Sequence, residues 1–154
     1  MSIFLKYLTV LGMAALPVVE LRGAVPYGVA MDLPLLAVLA VSILGNMLPV
    51  PFIILFIRRI FAWMKRKSAW LRGIAEKLEG RAHEKGHDML VKYETLGLFI
   101  LVAIPLPGTG AWTGSIIAAL FDLRMKNAFP AIFGGVVAAG IIMSVISYGV
   151  DMLI

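Results

Sequence analysis

Glu20 and Arg22 stand inside an apolar stretch that runs from Tyr7 to Met31, and surface placement does not account for them. Charge at membrane depth is costly, so it faces a polar cavity or a partner. A carboxyl there can take a proton or a cation, and a guanidinium fork suits an anionic head group. Residues two apart do not share a helix face, so both reach one site only if the chain breaks near Gly23. The competing reading is an interfacial turn near the surface. A second cluster is Pro105-Leu-Pro107-Gly108-Thr109-Gly110, continued by Ala-Trp112-Thr113-Gly114. Thr109 and Thr113 offer hydroxyls and Trp112 an indole. The glycines let backbone amides approach a ligand, and a helix start beyond them favours an anion. The same residues also read as a small-residue packing face, as do Gly135 with Ala139 and Gly140 with Ser144. Asn46, between Gly45 and Pro49-Val-Pro51, can hydrogen-bond a broken backbone or join the site.

His83-Glu-Lys-Gly-His87 matches the spacing that puts two imidazoles and a base on one face of a zinc-protease helix. Here it lies in a charged stretch, with Gly86 inside the would-be helix and Lys85 beside the would-be metal. It reads as a solvated charged segment. No enzyme, metal site or organic cofactor is expected, only a coupling proton or cation.

The elements that carry these residues follow from composition. The chain has 154 residues, 61% of them hydrophobic, and a mean hydropathy of +0.96. A soluble domain of this size cannot bury that much apolar surface, so the solvent is a bilayer. There is no cysteine, which removes disulfides and thiolate metal sites. Ten of the fourteen Lys and Arg lie between Arg58 and Lys92. No groove-reading or base-stacking module accompanies them, so nucleic acid is not an expected partner. The basic stretch instead marks a cytoplasmic loop of a multi-pass protein of the cell membrane.

Four hydrophobic blocks are visible: 7–31, 33–57, 96–121 and 128–150. About 20 helical residues cross a bilayer, and the second and fourth blocks meet that length without a charge. The first is interrupted by Pro17, Glu20, Arg22, Gly23, Pro26 and Gly28, the third by Pro105 to Gly110. Proline removes an amide donor and clashes with the preceding turn, and in lipid the freed groups need protein or water partners. Blocks one and three are therefore expected to enter and return as broken hairpins. The first run reads as such a segment rather than a cleaved leader. Arg124 and Lys126 then lie on the side of the basic loop, with both termini opposite.

Sliding the chain by 90 positions places Pro17 on Pro107, Asp32 on Asp122, Leu33 on Leu123 and Gly45 on Gly135. The expected fold is an all-α polytopic membrane protein of two inverted repeats. Each is a broken or re-entrant helical hairpin followed by a transmembrane helix: hairpin 7–31 with span 33–57, and hairpin 96–121 with span 128–150. Inverted repeats whose discontinuous helices meet near the midplane are a recurrent transporter plan. Residues 58–95 connect them. Ile60, Trp63, Met64, Leu71, Ile74 and Leu78 recur there at helical spacing among basic residues. That pattern suits either a helix on the anionic membrane face or one packed on the ends of the spans. Gly80 and Gly86 are expected to loosen the chain before Tyr93.

At these residues the chain resembles the small multidrug export proteins. The matching stretches are Glu20-Leu-Arg-Gly-Ala-Val-Pro26, Gly45-Asn46 with Pro49-Val-Pro51-Phe52, and Ala103 to Gly114. That family is distantly similar to the DedA membrane proteins, which are thought to carry paired re-entrant hairpins and to move polyprenyl or other lipid phosphates. The resemblance implies a transport role in a cell membrane, with Glu20, Arg22, Pro26 and the Pro105 to Gly114 tip as functional positions. The chain departs from the DedA pattern in having no arginine between Leu96 and Asp122. The expected function is proton-coupled export of small amphipathic molecules. A DedA-like flippase for lipid phosphates and a non-transporting assembly factor are the alternatives. Its partners are then the lipid bilayer and the substrate, and its small size makes a homodimer a reasonable assembly.

Overall fold

The structure, a computed structural model, describes residues 2–90 and 94–151, without the side chains of 85–90 and 150–151. Its elements are α1 (Ile3–Ala15), α2 (Glu20–Ala30), α3 (Leu35–Met47), α4 (Val50–Lys67), α5 (Ala69–Leu90), α6 (Glu94–Ala103), α7 (Ala111–Leu120) and α8 (Met125–Asp151). No strand occurs among the described residues.

Local chemistry sets the first hairpin. Ser2 caps α1 by accepting the Leu5 amide. Leu16 precedes a proline and is extended, with φ −76° and ψ 139°, which ends the helix. The chain turns over residues 16–19 and restarts as α2. The Lys6 ammonium donates to the Met31 carbonyl at 2.8 Å, so the start of α1 and the end of α2 lie side by side. The break thus falls at Leu16 to Val19, not near Gly23. Gly23 and Pro26 are inside α2, where the proline only removes one helical bond.

The second hairpin repeats this order. α6 stops at Ala103, residues 104–110 are non-helical, and α7 follows. Glu94, Thr95 and Phe121 to Arg124 line one cavity of about 360 Å³, so this hairpin also closes on itself. Both hairpins leave by the same turn. Asp32 and Asp122 each have φ 58°, a left-handed conformation that short polar side chains tolerate. The amide of Leu33 donates to the Gly28 carbonyl at 3.2 Å, and that of Leu123 to the Ala118 carbonyl at 2.9 Å. These bonds satisfy carbonyls left over at a helix end. The 90-residue offset seen at Asp32/Asp122 and Leu33/Leu123 is therefore a repeated piece of backbone.

Among the described residues, two helices are long and apolar enough to cross a membrane: Leu35–Lys67, which joins α3 to α4, and Met125–Gly149 in α8. Between α3 and α4, Leu48 and Pro49 keep right-handed helical dihedrals, so that helix is kinked there. α3 packs along the first hairpin, and α4 along α7. Arg58 of α4 donates Nε–H to the Ala119 carbonyl at 2.7 Å and pairs with Asp122 at 2.5 Å. The Arg58 hydrogen bond holds the Asp122 carboxyl below the usual carboxylate range. The middle of α4 thus sits at the open end of the second hairpin, and the start of α3 at that of the first.

Close packing depends on small residues. A side chain at Gly45 would meet Ala14 and the Leu11 backbone, and one at Gly135 would meet Val102 and the Phe99 backbone. The core is built around Leu21, Leu98, Ile117 and Ile132. The outside stays apolar: Phe4 is 72% exposed, Leu36 81% and Val145 69%. Surface of that kind belongs in lipid or in an interface.

The connector differs from the one amphipathic helix expected through Ile60 to Leu78. α4 carries Ile60, Trp63 and Met64, and Ser68 interrupts it, accepting the Leu71 amide as a new N-cap. α5 folds back on α4, with Lys65 bonded to Glu79 at 2.5 Å, and packs on α6 and α7. It continues through Gly80 and Gly86 to Leu90, so these glycines do not loosen it; Tyr93 lies outside the described residues. His83 rests on the Phe121 ring and its Nδ1 is 3.0 Å from the Glu79 carbonyl. The His87 side chain lies outside the described residues. Among the described residues no group of three metal-binding side chains forms.

Candidate functional site

The two hairpin tips meet each other. Pro105 and Pro107 lack amide hydrogens, so α6 cannot continue and its last carbonyls lose their helical donors. Gly108 (φ 77°) and Gly110 (φ 123°) then take conformations that other residues rarely adopt. The tip is tied internally by Thr109, whose hydroxyl lies 2.8 Å from the carbonyls of Ile104 and Leu106, and by Thr113, whose hydroxyl donates to the Gly108 carbonyl at 3.0 Å.

Arg22 reaches across from α2 and holds this loop. Nη2 donates to the Ile104 carbonyl at 3.0 Å and to Thr109 Oγ1 at 2.9 Å, while Nη1 donates to the Leu106 carbonyl. Glu20 does the converse at the start of α7. Its Oε1 accepts the Trp112 amide at 3.3 Å, and its carboxylate lies against Gly110. Trp112 returns the contact, donating its indole N–H to the Ala15 carbonyl at 3.1 Å. The cation sits on the carbonyl end of one half-helix and the anion on the amide end of the next, as helix dipoles favour. Glu20 itself opens α2 with φ 51°, a strained conformation for its type.

The clasp is incompletely satisfied. Glu20 is 3% exposed, and its Oε2 has no hydrogen-bond partner. Arg22 Nε, Ser42 Oγ and both amide atoms of Asn46 are also buried without one. Glu20 lines neither the cavity at the base of the second hairpin nor the smaller one beside its tip.

Of the residues expected to form a site, the structure brings together Glu20, Arg22, Pro105, Pro107, Gly108, Thr109, Gly110, Trp112 and Thr113. Asn46 is fully buried on α3 and forms no hydrogen bond with them. Pro26 stands within α2, away from the contacts of the tip. No residue type signals the Ala15, Ile104 and Leu106 carbonyls, because a backbone acceptor has no side-chain signature. Ser42 carried one faint signal, a polar side chain one turn before Asn46. Arg81 of α5 was also missed; with Leu78, Ala82, Gly108, Thr113 and Ile116 it lines the cavity of about 190 Å³ beside the second tip.

Gly110 is the most restrictive of the tip positions. A Cβ there would run into the Glu20 carboxylate, and φ 123° with ψ −168° is a region open essentially to glycine. Gly110→Ala is expected to lower stability by roughly 1–3 kcal/mol, with the strain and the displaced carboxylate both contributing. Thermal unfolding in detergent measures it; Gly12→Ala, where no atom lies within 4 Å of the added Cβ, is the neutral control.

Among known proteins, a family profile described as "Putative small multi-drug export protein" matches residues 20–142. No curated protein and no solved structure matches the chain.

Proposed function

We propose that this chain, which belongs to the small multi-drug export protein family, exports small amphipathic molecules across a cell membrane in exchange for protons. The observation that carries the reading is the reciprocal clasp of Glu20 and Arg22 on the second hairpin tip. Helix lengths fit it. α6 and α7 have 10 residues each, about 15 Å, or half of a hydrocarbon core of about 30 Å. Two hairpins of that reach, opening on opposite faces, meet near the midplane. α3 and α4 cross once between them, which makes the second repeat an inverted copy of the first.

In this reading the basic connector, Arg124 and Lys126 share the cytoplasmic face. The clasped tips form the closed gate. Glu20 takes up a proton, its hold on the amide end of α7 weakens, and the tips part. Arg22 and the Thr109 to Thr113 loop are then free to contact substrate. Such a cycle needs two arrangements of one element, each favoured by a different ligand. The test is transport itself: purified protein in proteoliposomes, with uptake of a lipophilic cation followed under an imposed proton gradient. Gradient-dependent uptake above protein-free vesicles supports the reading; none at any gradient overturns it.

A second reading, translocation of lipid phosphates, is favoured by Arg81. It supplies a guanidinium beside the second tip, in a cavity that also offers the Thr113 hydroxyl and apolar walls from Leu78 and Ile116. Movement of a fluorescent lipid phosphate, assayed in the same vesicles without a proton gradient, separates the two.

A further inference from the structure

We infer that Asn46 and Ser42, with the free oxygen of Glu20, form an alkali-cation site behind the clasp. The inference shares Glu20 with the export reading but stands on binding alone.

It starts from unmet hydrogen bonds. Ser42 and Asn46 are both 0% exposed, and Ser42 Oγ, Asn46 Oδ1 and Asn46 Nδ2 have no partner. Buried polar groups are almost always satisfied, so this cluster calls for an occupant. A turn apart, the two side chains lie on one face of α3. Helical geometry orients that face. Val38 packs on Gly28 of α2, and Leu39 shares the Gly140 contact with Leu21 of α2. At 100° per residue, Ser42 and Asn46 fall between Val38 and Leu39, on the side toward α2.

Contacts also fix the level. Gly45 abuts Ala14, the next residue's carbonyl takes the Trp112 indole, and the Trp112 amide goes to Glu20. Asn46 therefore stands at the height of the clasp, where Glu20 Oε2 lacks a partner.

The chemistry of the donors selects the ligand. Pro49 and Pro51 have no amide hydrogen, so the carbonyls of Gly45 and Met47 lose their helical donors beside Asn46. They also mark the negative end of α3. The set is then two side-chain oxygens, freed carbonyls and one carboxylate. Oxygen ligands suit a hard cation. One carboxylate supplies a single negative charge, which balances a monovalent cation such as sodium or lithium and leaves a divalent one with a net buried charge. Broken helices with freed carbonyls are a general way to hold such an ion at membrane depth.

The experiment measures binding of radiolabelled sodium to the purified protein at fixed pH, with choline chloride keeping ionic strength constant. Saturable binding, competed by lithium and not by choline, is expected for the wild type. Asn46→Ala and Ser42→Ala are each expected to weaken it by roughly tenfold or more. Ser42→Ala removes only a hydroxyl, so it reports even if Asn46→Ala does not fold. No saturable binding to the wild type overturns the inference, as does binding that Ser42→Ala leaves unchanged. Proton-driven uptake without any sodium binding overturns it too, while leaving the export reading intact.

Discussion

Replacing Arg22 with alanine is expected to abolish transport and to destabilise the closed conformation by several kcal/mol. The guanidinium satisfies the Ile104 and Leu106 carbonyls and the Thr109 hydroxyl at once. Within the loop the Ile104 carbonyl also accepts the Leu106 amide at 2.9 Å and the Leu106 carbonyl the Thr109 amide at 3.2 Å, so Arg22 adds the bonds that tie the loop to α2. Hydrogen bonds from a charged donor contribute about 1.5–3 kcal/mol each, and the variant removes three of them. Lysine is not a substitute, because a compact ammonium lacks the two separate nitrogens with which the guanidinium reaches the Leu106 carbonyl and the Ile104–Thr109 pair. Arg22→Lys is therefore expected to retain the fold in part and to remain inactive. Thermal unfolding in detergent and proteoliposome uptake together read the effect. Wild-type uptake by Arg22→Ala would show that the clasp has no part in the cycle.

Glu20→Gln is expected to leave the protein folded and stop coupled uptake, a loss of roughly 10² to 10⁴-fold if the residue is a positioned proton acceptor. The amide keeps an oxygen to accept from the Trp112 N–H and is nearly isosteric beside Gly110. What it loses is the charge and the ability to exchange a proton. Stability and activity should therefore separate: near-wild-type unfolding with no response to a proton gradient. Uptake that follows the gradient in this variant would remove Glu20 from the coupling step, whatever the state of the clasp. Arg22→Ala and Glu20→Gln differ in a useful way, since only the first removes the hydrogen bonds that tie α2 to the second tip.

The fold was legible wherever backbone chemistry is written in residue type. Pro105-Leu-Pro-Gly marked the second break at its true position, since the loss of amide donors is local. For Glu20 and Arg22 to converge on one site, the first break would have to fall near Gly23. The chain instead breaks around Pro17, and Arg22 meets the other hairpin on its own. That partnership joins residues more than eighty positions apart, which no local pattern encodes. The second block reads as an intact span and stays one long apolar helix, bent at Leu48 and Pro49, because a proline pair reduces helical bonds without forbidding helical dihedrals. Ser68, the N-cap that divides the connector, is a single hydroxyl in a basic run and was passed over. Of the site, the ionisable residues and the proline–glycine tip were visible, whereas the carbonyls they bind were not.

The central claim is that the third hydrophobic block enters the membrane and returns on one side, so that its tip meets Glu20 and Arg22 at depth. Single cysteines at Arg124 and Arg72, introduced into a chain with no native cysteine, test it through an impermeant thiol reagent on sealed right-side-out and inverted vesicles. Both positions should react only in inverted vesicles, because the proposed topology puts both on the cytoplasmic face. Labelling of the Arg124 position from outside, with the Arg72 position still inside, would mean that the block crosses completely and would contradict the account.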